Sequence, residues 1–310
     1  DYKISKFDKC EIISSISRIN ILSMIYNAGS GHVGTSLSAI DLMVWIKFFE
    51  FNLNLKKNDL NRDIFFSSKG HDAPALYSVL YLLNQINFND ILRLKRLKGL
   101  DGHPDVSING VEANTGSLGM GISKAKGMSW AKNYFRNKGS IIVLIGDGEF
   151  QEGQIFESLQ TTSHQKINNI IVIMDHNKIQ SSQYVKKIIN IEKIEKKISS
   201  FGWFVKRCNG HSFKDINKTF RAFNKIKNQP KFLIADTVKG KGVSFMEHNL
   251  VMKKRLYYNW HAGAPSDKDY QASQKELFLN LKKICKKNKV KFPVAINVEK
   301  NFQKKSIEIH

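Results

Sequence analysis

The stretch Ile141–Ile179, IIVLIGDGEFQEGQIFESLQTTSHQKINNIIVIMDHNKI, decides the fold. It contains two uninterrupted apolar runs of five residues, Ile141–Ile145 and Ile170–Met174. Such short, sharply bounded runs are typical of strands that are buried on both faces of a parallel sheet. Between them, Glu149–Lys166 has the length and composition of a helix. The stretch therefore predicts a strand–helix–strand unit, whose connection is right-handed by default.

Both predicted strands end in residues that suit a metal ion and a phosphate. The tripeptide Gly146–Gly148 follows the first strand and carries Asp147, and the second strand leads to Asn177. Ligands of parallel sheets bind at the carboxyl ends of the strands, where the glycines let a phosphate approach the backbone. Carboxylate, amide and backbone carbonyl oxygens are the ligands that Mg²⁺ takes. Gly-Asp-Gly alone indicates no more than a turn, but the pair of strand ends is more specific.

Composition bounds the class of protein. The 310 residues are 42% hydrophobic and 25% charged, as is usual for a soluble globular protein of one large domain or two small ones. No apolar run approaches the ~20 residues that a membrane helix needs, and residues 1–6 contain no apolar signal core. Three cysteines, Cys10, Cys208 and Cys285, are too few and too far apart for a disulfide framework. We therefore expect the protein in the reducing cytoplasm.

The net charge of +22 does not by itself favour a nucleic-acid-binding function. Lysines are spread over nearly every segment, and aromatic residues do not alternate with basic ones as in RNA-binding domains. The one dense cluster, at 282–291, is typical of a solvated helix face. The charge would still attract anionic substrates.

Other segments predict the remaining elements of the sheet and its helices. We expect further buried strands at Asp63–Ser68, Phe201–Val205 and Lys231–Asp236. We expect helices at 5–27, 37–49, 74–84, 90–98, 121–135, 188–200 and 212–227. The resulting fold class is α/β, a three-layer parallel sheet with helices on both faces. We predict that this domain spans residues 1–265 and that a basic helical extension spans residues 266–310.

Four histidines stand beside glycines in predicted loops: His32, His71, His103 and His261. Each of them alone is typical of a solvated loop. The Gly-rich turn Thr115–Gly121 opens a predicted helix, and helix N-termini of this kind bind anions.

Together, these motifs resemble the diphosphate-binding half of transketolase. The matching stretches occur in family order over about 240 residues: Gly29–Gly34, Ser68–Ala73, Gly102–Pro104, Thr115–Gly121, Gly146–Gly153, Asp175–Ile179, Thr237–Gly242 and Trp260–Pro265. The resemblance implies thiamine diphosphate and Mg²⁺ or Ca²⁺ as cofactors. It implies metal ligands at Asp147, Asn177 and the backbone oxygen of Ile179.

The resemblance also implies roles for the loop residues. Gly148, His71 and His261 would line the diphosphate, and the cofactor's rings would lie against Gly116 and Leu118. Glu152 would belong to a carboxylate network that links paired active sites. The four loop histidines would face substrate hydroxyls and relay protons, which suits a side chain whose pKa lies near neutrality.

This sequence departs from the family pattern in two places. Ser181–Gln183 follows the metal loop where many transketolases have an apolar residue, Asp and Gly. Glu247–Asn259 is longer than the short link that precedes the histidine corresponding to His261.

The resemblance covers only the first domain of full-length transketolases. The glutamate that activates the cofactor's aminopyrimidine belongs to their second domain. We therefore expect an N-terminal subunit of a split transketolase that transfers a two-carbon ketol unit between phosphosugars, as in the pentose phosphate pathway. Its partner would be a C-terminal subunit with the pyrimidine-binding domain, and the two chains would form a heterotetramer around a self-dimer.

Two alternatives stay open at this point. One is a subunit of another thiamine-diphosphate enzyme, similar to deoxyxylulose-phosphate synthase or to 2-oxoacid dehydrogenases. The other is a non-catalytic binding module. The Ser-Lys-Gly-His and Gly-His-Pro stretches at residues 68–71 and 102–104 favour transketolase.

Overall fold

Five parallel strands form the sheet in the computed structural model, which describes residues 4–51 and 59–291. Their spatial order is β1-β2-β3-β7-β6. The strands are β1 Ile64–Ser67, β2 Ile141–Gly146, β3 Ile170–His176, β6 Phe204–Asn209 and β7 Lys231–Asp236. A separate antiparallel hairpin consists of β4 Ile179–Gln180 and β5 Gln183–Tyr184. The two apolar runs of the sequence are thus the adjacent strands β2 and β3, paired in parallel as predicted.

Helices cover both faces of this sheet. The longer ones are α1 Lys6–Ala28, α2 Val33–Trp45, α3 Ala73–Leu82, α5 Gly121–Tyr134, α6 Gly153–His164, α9 Phe213–Phe223 and α11 Asp267–Lys287. The shorter ones are α4 Phe88–Ile91, α7 Val185–Ile188, α8 Ile194–Ser200 and α10 His248–Val251. A π-helical turn, Ile46–Glu50, extends α2, and a 3₁₀ turn, Glu149–Gln151, precedes α6.

Alternate residues of each central strand belong to two different hydrophobic clusters. In β2, Ile142 and Leu144 pack with α1, α2, α3, α9 and α11, whereas Ile141, Val143 and Ile145 pack with α5, α6 and α8. Because successive side chains of a strand point to opposite faces, these clusters are the two faces of the sheet. This arrangement confirms the predicted three-layer α/β fold.

Three predicted elements were wrong. The helix expected at 188–200 is interrupted, because α7 ends at Ile188 and α8 begins only at Ile194, after Lys193 with a left-handed backbone (φ +62°). The strand expected at Phe201–Val205 begins three residues later, because Gly202 has a left-handed backbone (φ +86°) and forms a turn after α8. The edge strand β6 carries the exposed Lys206 and Arg207 at its middle, one on each face, so its hydrophobic pattern is weak. The helix expected at 90–98 stops after one turn, since Lys95 and Lys98 have positive φ values of 55° and 57°.

The last described helix, α11, lies against α1. The rings of Tyr26 and Tyr270 stack with centroids 3.8 Å apart, and Gln274 donates a hydrogen bond to Ser23. The domain boundary at residue 265 stays a prediction, and residues 292–310 of the expected extension lie outside the described part of the chain. All three cysteines are free, as predicted. Within residues 4–51 and 59–291, no helix has the length and hydropathy needed to cross a lipid bilayer.

The burial of Leu144 on β2 leads to a prediction about the free energy of unfolding. Leu144 is completely buried in the larger cluster, so Leu144→Ala should lower the free energy of unfolding by about 2–5 kcal/mol in urea denaturation. Leu97→Ala is the matched control, because Leu97 is 88% exposed and its truncation leaves no cavity. Equal effects of the two substitutions would contradict this description of the core.

Candidate active site

The ends of β2 and β3 bring the Asp147 carboxylate and the Asn177 amide close to the backbone of residues 178 and 179. The Asp147 carboxylate accepts hydrogen bonds from the backbone nitrogens of Gly148 at 2.8 Å and Lys178 at 2.5 Å. The Asn177 amide oxygen accepts from the backbone nitrogen of Ile179 at 3.1 Å. Burial is the largest influence on Asp147 and raises its pKa. A nearby cation would favour the charged form of this carboxylate and reverse that shift.

Asp175 orients the Asn177 amide. Its carboxylate accepts from the side chains of Lys69 at 2.7 Å, Ser38 at 2.7 Å and Asn177 at 3.2 Å, and also from the Thr237 hydroxyl. The Asn177 amide nitrogen is therefore engaged below the site, which leaves the amide oxygen to face the ligand side. Burial alone would raise the pKa of Asp175, but the Lys69 ammonium outweighs it and holds the pKa below its ordinary value.

Lys239 is the site residue that the sequence analysis missed. It follows β7 and is 2% exposed. Its ammonium lies 3.0 Å from the carbonyl oxygen of Ile179, 3.2 Å from that of Ser181 and 3.2 Å from Nδ1 of His261. Burial is the main cause that lowers the pKa of Lys239 to about 8. The available signal was a lysine directly before a glycine at a strand end, the same pattern as Lys69.

Three of the predicted histidines meet at the same edge. The ring centroid of His32 lies 5.1 Å from that of His71 and 5.2 Å from that of His261. A backbone bridge between His32 and Gly263 holds the two segments together. Burial, assisted by neighbouring lysines, lowers the pKa of His32 and of His261 to about 4, and that of His71 well below its usual value. Nδ1 of His71 donates to the Lys69 carbonyl at 2.7 Å, so Nε2 is the free acceptor.

His103, the fourth histidine, covers two glycines. A Cβ atom on Gly70 would lie 2.6 Å from the backbone nitrogen of Gly116 and 2.9 Å from the His103 ring. A Cβ on Gly116 would lie 2.7 Å from that ring. Both glycines also have positive φ values, 64° and 125°, so this close approach of two loops requires glycine. Leu118, on the same Gly-rich loop, is 41% exposed.

Glu149 ties the Gly-rich loop to β2 and was also missed. Its buried carboxylate accepts from the backbone nitrogens of Gly119 at 2.9 Å and Gly146 at 3.1 Å, and from the Ser68 hydroxyl. Glu152, a predicted site residue, is exposed and lies against Gly119. A Cβ atom added to Gly119 would be 2.7 Å from the Cβ of Glu152.

The two departures from the family pattern have structural counterparts. Ser181, with φ +51°, turns the β4–β5 hairpin, and Gln180 packs on Gly148 with its amide oxygen buried and, among residues 4–51 and 59–291, without a hydrogen-bond partner. The longer segment Glu247–Asn259 contains α10 and ends in the buried Tyr258, whose ring centroid lies 5.4 Å from the Lys239 ammonium. Both segments therefore contact the site.

Comparison with known proteins identifies the class of this domain. The sequence profile described as "Transketolase, thiamine diphosphate binding domain" matches residues 10–283. An apulose-4-phosphate transketolase subunit of Phocaeicola vulgatus is 32% identical over 280 residues, which cover 90% of this chain and 97% of that protein. A 6-deoxy-6-sulfo-D-fructose transketolase subunit of a Clostridium species is 32% identical over 257 residues, 79% of this chain and 92% of that protein.

Longer transketolases match in the same way. Human transketolase is 34% identical over 236 residues, which cover 74% of this chain and 37% of that protein. The crystal structure of transketolase from Campylobacter jejuni superimposes with a TM-score of 0.80 at 26% identity, over 96% of this chain and 47% of that one. The chain belongs to the transketolase family, as a thiamine-diphosphate-binding domain.

The lowered pKa values of His32 and His261 lead to a prediction about how the ring signals and the stability depend on pH. In NMR titrations the ring signals of His32 and His261 should titrate near pH 4, well below the about 6.5 of an unperturbed histidine. For each of these histidines the pKa in the folded chain lies below the pKa in the unfolded chain, so protonation favours unfolding. The free energy of unfolding therefore decreases as pH falls from about 6.5 to 4 and is unaffected above about pH 6.5. His32→Gln should therefore lose less stability than the parent chain between these pH values in urea denaturation. Ring titration near pH 6.5 in the folded chain would contradict the proposed neutrality.

Proposed function

We propose that this chain is the cofactor-binding subunit of a split transketolase, which transfers a two-carbon ketol unit between phosphorylated or similarly anionic sugars. The observation that carries this proposal is the convergence of oxygen ligands, the Lys239 ammonium and three neutral histidines at one edge of the sheet. Cations attract a diphosphate, whereas neutral histidines can accept and return protons.

The donor set fits Mg²⁺ or Ca²⁺. Asp147, Asn177 and the Ile179 carbonyl offer hard oxygen atoms, and the Ile179 oxygen already accepts a cation, the Lys239 ammonium. Among the described residues, no group of three His, Cys, Asp or Glu side chains is placed to hold a metal ion. The proposed site needs only one such side chain, because its other two protein ligands are an amide oxygen and a carbonyl oxygen.

The diphosphate would lie beside the metal ligands and Lys239. Gly148 would allow its close approach to the backbone, and His71 and His261 would line the same space. The unpartnered Gln180 amide oxygen beside Gly148 is a buried acceptor, which a metal-bound water could satisfy. The Gly-rich loop with Gly116 and Leu118 would contact the cofactor's rings, and Glu149 holds this loop in place.

The histidines would handle the substrate's protons. Thiamine diphosphate supplies the carbanion chemistry once it is bound. His71 presents Nε2 as an acceptor, because Nδ1 is held by the Lys69 carbonyl. His32 and His261 are neutral at pH 7 and can accept hydrogen bonds from sugar hydroxyls. His103 is exposed and would contact the outer part of a sugar.

The partner chain would supply the pyrimidine-binding domain and its glutamate. Two relatives that align over more than nine tenths of their own length carry the word subunit in their names, which supports a partner for this chain. Their names also specify apulose-4-phosphate and 6-deoxy-6-sulfo-D-fructose, so the sugar and the pathway of this chain need not be those of pentose phosphates. Glu152, exposed beside the Gly-rich loop, would join the carboxylate network between paired sites. We propose a heterotetramer around a self-dimer, in the cytoplasm.

The metal assignment can be tested with Asp147→Ala. Removing this ligand should abolish the magnesium-dependent part of thiamine diphosphate binding, measured by calorimetry on the chain assembled with its partner. Asp59→Asn, before the amino end of β1, is the control and should bind as the parent chain does. A retained magnesium effect in Asp147→Ala would remove Asp147 from the metal site.

The partner requirement can be tested by reconstitution. The chain alone, with thiamine diphosphate, Mg²⁺ and a ketose phosphate–aldose phosphate pair, should show no turnover, because the activating glutamate comes from the partner. Adding the chain that carries the pyrimidine-binding domain should restore ketol transfer. Turnover by this chain alone at ~1–10³ per second, the usual range for enzymes, would overturn the split-site proposal.

A further inference from the structure

Arg18, Asp41 and His211 form a triad behind the loop that carries Lys239, with Arg18 and Asp41 buried and His211 half-buried. Oδ2 of Asp41 accepts from Nη2 of Arg18 at 2.7 Å and from Nδ1 of His211 at 2.7 Å. The three residues come from α1, from α2 and from the turn before α9. Asp41 is 4% exposed and Arg18 is 8% exposed. Burial would raise the pKa of Asp41, but Arg18 and His211 outweigh it and keep the carboxylate ionised.

Both partners of Asp41 also hold the loop Thr237–Gly242. The backbone nitrogen of Val238 donates to Nε2 of His211 at 2.8 Å. Nε of Arg18 donates to the carbonyl oxygen of Lys241 at 3.0 Å. The two anchored residues flank Lys239, so the triad fixes the loop on either side of the ammonium. A backbone N–H can only donate, which places the His211 proton on Nδ1, where Asp41 accepts it.

The side chain of Lys239 and the backbone of its loop therefore contact different parts of the protein. Lys239 faces Ile179, Ser181 and His261 in the site, whereas the backbone beside it is hydrogen-bonded to the triad. Asp41 also lies on α2, whose N-terminal cap is His32. This helix thus connects the triad with the histidine cluster.

We propose that His211, held by Asp41, is a positioning residue for Lys239, and that the triad sets the affinity of the site for a diphosphate group. This inference rests on the proposed function, since Lys239 is the group through which the triad would act. Losing one buried hydrogen bond of this kind costs about tenfold in an equilibrium that depends on it.

Two conservative variants separate positioning from general stability. His211→Asn keeps an amide nitrogen where Nδ1 lies, so Asp41 stays paired, but it loses the acceptor for Val238. His211→Gln places an amide oxygen where Nε2 lies and keeps that acceptor. Inorganic diphosphate with Mg²⁺, titrated calorimetrically into the full chain, is the probe. We expect about tenfold weaker binding for His211→Asn and binding within about twofold of the parent chain for His211→Gln.

A double-mutant cycle with Lys239→Met gives the decisive result. Lys239→Met alone should weaken diphosphate binding, and His211→Asn should add nothing in that background, because its effect passes through the lysine. The positioning role is overturned if Lys239→Met weakens diphosphate binding but His211→Asn does not. It is also overturned if His211→Asn weakens diphosphate binding equally with and without Lys239→Met. In both cases the proposed function stands. If Lys239→Met leaves binding unchanged, the diphosphate site itself is misassigned and both proposals fail. Thermal unfolding of each variant confirms that the comparison is between folded chains.

Discussion

The ion pair between Lys69 and Asp175 is the interaction on which the site depends. Its two charged atoms lie 2.7 Å apart with side chains 2% and 0% exposed. Removing two charges from water is costly, and such a pair persists only where hydrogen bonds satisfy the remaining donors and acceptors. Ser38, Asn177 and Thr237 meet that condition at Asp175, and Thr35 and Asp72 meet it at Lys69. The pair thereby joins the ends of β1 and β3, the start of α2 and the loop after β7, which are the segments that carry the site.

The pKa values of the two buried lysines, Lys69 and Lys239, are shifted in opposite directions. Burial alone would lower the pKa of Lys69, but Asp175 and Asp72 outweigh it and raise the pKa above its ordinary value. Lys239 is equally buried, and there burial prevails and lowers the pKa. Its hydrogen-bond partners are two carbonyl oxygens and a neutral imidazole. Lys69 is therefore a structural cation whose charge is compensated, whereas the charge of Lys239 remains available to a bound anion.

The sequence was sufficient to predict the sheet's centre and to nominate candidate site residues at its edge, because both depend on local pattern. Buried parallel strands are continuous apolar runs, and glycines beside Asp147 or His71 mark strand ends. The edge strand β6 was predicted three residues too early, because Lys206 and Arg207 interrupt its apolar pattern and no run of apolar residues marks its bounds. The supporting residues escaped prediction for another reason. Lys69 and Asp175 are 106 positions apart, and Arg18 and the Lys241 carbonyl are 223 apart, so only the folded chain shows that they are partners.

The same lysines also explain why the histidines are neutral. Lys239 contributes to the lowered pKa values of His32, His71 and His261, after burial as the main cause in each. An anion bound beside Lys239 offsets that cation's field, so it raises the affinity of the three rings for protons. Binding of a diphosphate would therefore move the histidine pKa values upward, toward the range in which histidine exchanges protons near neutrality. Cofactor affinity and proton transfer would thus be coupled through one buried ammonium, and a change in the position of Lys239 would alter both.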